Sequence, residues 1–174
     1  MTVSSFALVT QPSDESLDTQ TVRDLGEEFA QLIDSDNSAP FMTGLRVVLE
    51  APIHSTQVLN TAVALSNVVA LLVLSLSQDE QQASELVDTT IVRSAHAAFT
   101  DLVPSLDDPA VVAAQALICR VYKTVSAEEL PDKVDGRTLA AIAAFGDAST
   151  LIADDVGLPR TVLAAAIGQA ARVM

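Results

Sequence analysis

The chain has 174 residues, 49% of them hydrophobic and 3% aromatic, and its 23 acidic against 9 basic side chains leave a net charge of −14. That length fits one domain with a single core and no need of covalent staples. The lone Cys119 excludes an intramolecular disulfide and a Cys-rich zinc site. So acidic a chain repels phosphate backbones and anionic lipid and favours basic partners. The start of the chain, Met1 to Thr10, has no basic stretch and only a short apolar one, so no signal peptide is read and the cytoplasm is the expected compartment.

Residues 1–17 read as a flexible N-terminal arm, because Pro12, Asp14 and Glu15 interrupt any period. Residues 18–174 read as a single helical domain. The first helix is expected over Asp18–Ile33, capped by Asp18 or Thr19, with Val22, Leu25, Phe29, Leu32 and Ile33 recurring at helical spacing. The stretch from Asp34 to Pro40 ends it. A short helix over Met42–Glu50 must stop before Pro52, since the residue preceding proline is pushed out of the α region. Ser55 is the next N-cap candidate.

From about Thr56 to Leu76 the first half carries a polar stripe (Gln57, Asn60, Thr61, Asn67), whereas Val68–Leu74 is apolar all round. A helix apolar on every face is normally surrounded by other helices. The alternative, a membrane span, needs roughly 20 apolar residues, and Asn60, Thr61, Ser66, Asn67 and Ser75 interrupt this run, so no membrane association is expected. Asp79–Val103 reads as one amphipathic helix, with Ala83, Val87, Ile91, Ala95, Ala98 and Leu102 on one face and Glu85, Arg93 and His96 opposite. Asp108 and Pro109 open a helix running to about Val125. After a charged connector, Ser126–Asp135, two further helices are expected at about Gly136–Asp154 and Pro159–Arg172. The predicted fold is therefore all-α: a single-domain bundle of six to seven helices around a central apolar helix. No internal repeat is visible.

The sharpest local pattern, residues 152–166, resembles a helix-turn-helix, with Ala153 at the helix contact, Gly157 in the turn and Leu163 six residues on. Its second helix offers Arg160 and Thr161 and then mostly alanine, behind Asp154 and Asp155. That is a poor set for reading bases or gripping phosphates, so nucleic acid is not the expected partner. No metal site is expected either: Glu50 and His54 are separated by Pro52, and Glu85, Asp88 and His96 lack metal-ligand spacing. No cofactor motif is present. His54, His96, Cys119 and Tyr122 are the candidates for proton transfer or nucleophilic attack, and no spacing pairs them, so a non-enzymatic role is expected ahead of an enzymatic one.

Three readings of function follow. The leading one is an acidic interaction protein, an adaptor, regulator or immunity-type inhibitor, that meets a basic protein partner through Asp24, Glu27 and Glu28 of the first helix and Asp79, Glu80 and Glu85 further on. The acid is concentrated in those two regions: residues 1–39 hold eight acids against Arg23, and residues 77–109 hold seven against Arg93. The second is a small helical enzyme or ligand-binding protein with a polar pocket inside the bundle, built from Asn60, Asn67, Arg93, His96, Arg120 and Tyr122. The third is a DNA-binding regulator using residues 152–166. A chain rich in Ala and Val is also expected to self-associate as a homodimer.

Overall fold

A computed structural model of the protein describes residues 18–34, 39–50, 55–121 and 134–173. The predicted N-terminal arm, His54, Tyr122 and most of the charged connector lie outside the described residues. The described elements are all helical: α1 (Thr19–Leu32), α2 (Pro40–Glu50), α3 (Ser55–Ser75), α4 (Glu80–Leu86), a π turn (Val87–Ile91), α5 (Val92–Ala98), α6 (Pro109–Cys119), α7 (Gly136–Asp155) and α8 (Arg160–Ala171). The segment α4–π turn–α5 is continuous, so the described chain forms seven helices and no strand. The all-α bundle around a central apolar helix is as the sequence predicts.

Local chemistry starts the helices. Asp18 caps α1 by accepting from the Gln20 and Thr21 amides, and Asp79, Asp108 and Asp135 do the same for α4, α6 and α7. A carboxylate suits this position because it satisfies an orphan N–H and meets the positive end of the helix dipole. Pro109 fills the first position of α6. Pro40, read from sequence as a breaker, instead opens α2, where the missing N–H costs nothing.

Two boundaries differ from the sequence reading. The helix expected to run from Asp79 to Val103 contains the π turn and ends at Ala98. The run Val87–Val92 is rich in β-branched residues that crowd the preceding turn, and the Thr89 hydroxyl bonds back to the Glu85 carbonyl at 2.7 Å. Beyond Phe99 the chain folds back so that His96 Nδ1 donates to the Val103 carbonyl at 2.6 Å. Helix α6 ends at Cys119, six residues before the expected boundary, with Arg120 and Val121 in a turn.

Helix α3 sits at the centre, packed by α1, α4, α6, α7 and α8. It is the one described helix long and apolar enough to cross a membrane, yet most of that stretch is buried inside the bundle. A second inner helix, α7, is buried on every side from Thr138 to Thr150 and packs against α2, α3, α5 and α6. One contiguous core joins all the helices through residues such as Phe29, Leu45, Leu72, Ile91, Leu117, Phe145 and Ile167. Burying each of these side chains contributes about 1.5–3 kcal/mol. The buried hydroxyls of Ser66, Ser149 and Thr150 bond to carbonyls of their own helices, so neither inner helix places an unpaired hydroxyl in the core at these positions.

Candidate functional site

Helices α1 and α8 run side by side, and small residues let them approach closely. A methyl group on Gly26 would stand 3.3 Å from Ala171 Cβ, and one on Gly168 would stand 3.6 Å from Ala30 Cβ. Two polar ties bind the pair. Arg172 Nε donates to Glu27 Oε1 at 2.8 Å near one end, and Thr161 Oγ1 donates to Asp34 Oδ1 at 2.9 Å near the other. Because early residues of α1 meet late residues of α8, the two helices are antiparallel. Along the pair lies a solvent-open groove of about 320 Å³, lined by Glu27, Gln31 and Asp34 from the α1 side and by Ala164, Ala165 and Gly168 of α8. Glu27, Gln31 and Asp34 fall on one face because their spacings of four and three residues bring them into line. Two carboxylates and one guanidinium line the groove, while Asp24 and Glu28 stand exposed on the same helix.

The residues singled out from sequence are placed as follows. Asp24 is exposed and accepts from Gln20 Nε2 at 2.9 Å, Glu27 is half-buried in the groove, and Glu28 is exposed. Asp79 is engaged as the N-cap of α4, bonding the Gln82 amide at 2.7 Å. Glu80 and Glu85 are exposed on α4, with Glu85 accepting from Gln81. Glu27 was thus a candidate for its charge alone, and its place in a groove came only with the fold. Gln31, Asp34 and Thr161 were not candidates, because nothing local pairs residues 127 positions apart.

The pocket candidates divide. Asn60 is buried and accepts from the Asp18 amide at 3.0 Å, which fastens the start of α1 to α3. Asn67, two turns further along the same face, is buried and accepts from Arg120 Nη2 at 3.0 Å. Arg120, in the turn that follows α6, therefore reaches inward to α3. Its Nε is buried without a hydrogen-bond partner, and burial disfavours its charge. Arg93 is exposed, and His96 is half-buried against Val103. Asn67 and Arg120 are the two members of the set that meet directly among the described residues. No group of three His, Cys, Asp or Glu side chains among the described residues is placed to hold a metal ion.

Residues 152–166 form a helical hairpin with Gly157 at φ +78°, the left-handed value its turn requires. Arg160 makes a two-point contact with Asp154, at 3.0 and 2.8 Å, and only 17% of its side chain is exposed. The guanidinium that a phosphate would need is thus engaged within the hairpin.

Asp147 was not a candidate from sequence, and it is the most unusual polar group in the structure. It is fully buried on α7. Its two carboxyl oxygens accept the amides of Phe41 and Met42, at 2.8 and 3.1 Å, in the first turn of α2. Burial raises its pKa to about 7 against the opposing pull of those two hydrogen bonds and the charge of Arg160. A signal was present in the sequence, for Asp147 is the only charged residue between Thr138 and Ala153.

No protein-family model, curated protein or solved structure matches this chain. The class is therefore defined by the fold and the surface: an acidic all-α bundle built on two inner helices, with a carboxylate-lined groove between its first and last described helices.

Proposed function

We propose that the protein is a non-enzymatic interaction protein that binds a basic protein partner through α1 and the α1–α8 groove. The observation that carries this reading is the groove itself, lined by Glu27, which is paired with Arg172, by Asp34 and by the small residues Ala164, Ala165 and Gly168. A lysine or arginine side chain suits such a trough, with its aliphatic stem along alanine and its charged head at a carboxylate. Asp24 and Glu28 extend the negative surface beside it and steer a basic partner toward it.

The test uses a Lys/Arg-rich peptide as probe in isothermal titration, with the wild type and a double variant, Asp24→Lys with Glu28→Lys. Both side chains are exposed, so the fold is kept. Binding to the wild type is expected at low ionic strength, weakening as salt shortens the screening length. The variant should bind at least about tenfold more weakly, since reversing two charges that steer encounter acts on affinity and association rate together. Equal binding by the two proteins defeats the reading.

A second reading, a carrier for a small anionic ligand, draws support from Arg120. Its guanidinium is half-buried, Asn67 is its hydrogen-bond acceptor, and no carboxylate among the described residues pairs with it. Native mass spectrometry of the purified protein against its denatured mass tests this: an adduct lost on denaturation supports a ligand, and a clean chain mass opposes it.

A further inference from the structure

Helix α2 is joined to the bundle in an unusual way. Phe41, Met42 and Leu45 are buried on its inner face, and the Phe41 ring lies directly over Gly146, where a methyl group would stand 2.6 Å from a ring carbon. Immediately beside that contact, Asp147 reaches up from α7 to accept the amides of Phe41 and Met42. One buried carboxyl group therefore ties two elements more than a hundred residues apart, and α2 has to leave before water can reach it. We infer that Asp147 is a charge-controlled latch, its protonation state setting how tightly Pro40–Glu50 docks on α7, with docking loosened as pH rises toward neutrality.

The direction follows from proton linkage. Docked, the carboxyl is raised to about 7, chiefly by burial. Undocked and hydrated, it returns to the ordinary value of 3.8. Between these values the docked form holds a proton that the undocked form has lost. Each pH unit gained in that window therefore shifts the equilibrium up to tenfold toward undocking. Above about 7 both forms are ionised, and no further loss follows.

Among the described residues few other charges act on this group. Helices α3 and α6, which pack on α7, contain no charged residue. Helix α2 contributes Arg46, which is exposed, and Glu50, about 14 Å along the axis from Phe41 at 1.5 Å per residue. The π turn and α5 contribute Asp88 and Arg93, both exposed, and His96, which is engaged by Val103. Among the described residues, Arg160 is the charge that pulls the carboxyl down, and it is itself tied to Asp154. Undocking uncovers Phe41, Met42 and Leu45 together, so the latch governs the appearance of an apolar surface.

Native-state hydrogen exchange across pH 5 to 7, corrected for intrinsic rates, tests the inference in the wild type and in Asp147→Asn. Wild-type protection of the α2 amides should fall by up to about 100-fold over those two units, while α3 amides keep theirs and Asp147→Asn shows no such slope. Constant α2 protection in the wild type, an equal fall in α3, or a persisting slope in Asp147→Asn overturns it. If the variant fails to fold, carboxyl NMR titration of the wild type decides: a midpoint near 7 supports the latch, and one in the ordinary carboxylate range removes it.

Discussion

Gly146→Ala and Gly168→Ala are the same chemical change on two helices, and the structure assigns them opposite signs. At Gly146 the new methyl would stand 2.6, 2.9 and 3.0 Å from three atoms of the Phe41 ring, at or below the limit that real contacts respect. The ring has no retreat, because Phe41 is fully buried and its own amide is fixed on Asp147 at 2.8 Å. Overpacking of this kind costs about 1–3 kcal/mol, and replacing a mid-helix glycine returns only about 0.5–1 kcal/mol. The net loss should be about 1–2 kcal/mol, which for a chain of this size lowers Tm by about 3–6 °C. At Gly168 the nearest atom to the new methyl is Ala30 Cβ at 3.6 Å, an ordinary contact. There the helix term stands alone, and stability should rise by about 0.5–1 kcal/mol. Urea unfolding of both variants beside the wild type, with the slope checked for constancy, reads the two shifts directly. A Gly146→Ala protein as stable as the wild type would show that Phe41 does not rest on Gly146 and that α2 docks elsewhere.

Further outcomes follow from single contacts. Asp108→Ala should cost about 1 kcal/mol through the lost cap of α6, and Asp108→Asn should restore most of it, because the ion pair to the 42%-exposed Arg137 contributes little; thermal melts of the two variants separate capping from pairing. Asn67→Ala should cost about 1–3 kcal/mol by leaving the Arg120 guanidinium without its acceptor. In an Arg120→Met background that cost should shrink to below about 1 kcal/mol, and a double-mutant cycle in urea measures the difference. Additive losses would mean that the two side chains do not meet.

Much of the fold was legible because its signals are local. Asp18, Asp108 and Pro109 announced their helices in sequence, and the unbroken apolar run after Asn67 marked α3 as the inner helix. The π turn was not legible, since the amphipathic face of Asp79–Val103 satisfies a plain α period and the extra residue emerges only from crowding in three dimensions. The groove was half legible. The charge of α1 is in the sequence, whereas its cover by α8 depends on Gly26, Ala30, Gly168 and Ala171 meeting across the whole chain. Asp147 should have been legible, as a single acid in an alanine-rich buried helix must find donors or a proton, but the sequence cannot say that those donors are the amides of Phe41 and Met42.

The structure also sorts the acids that a charge tally treats alike. Asp18, Asp79, Asp108 and Asp135 start helices, Glu27 and Asp154 are in ion pairs, and Asp147 is sealed in the core. Reversing Asp79 would first unravel the start of α4, so a lost interaction in that variant would say nothing about a partner. Asp24 and Glu28 are different: they are exposed, they neither cap a helix nor join an ion pair among the described residues, and they lie on a helix that lines the groove. Solubility alone would be served equally by acid on any exposed face. If the acid of α1 serves recognition, reversing Asp24 and Glu28 must weaken a basic peptide far more than reversing Glu80 and Glu85 on α4, although each pair changes the net charge by the same amount. Equal weakening by the two pairs would reduce the acidic surface to a general electrostatic field with no site in it.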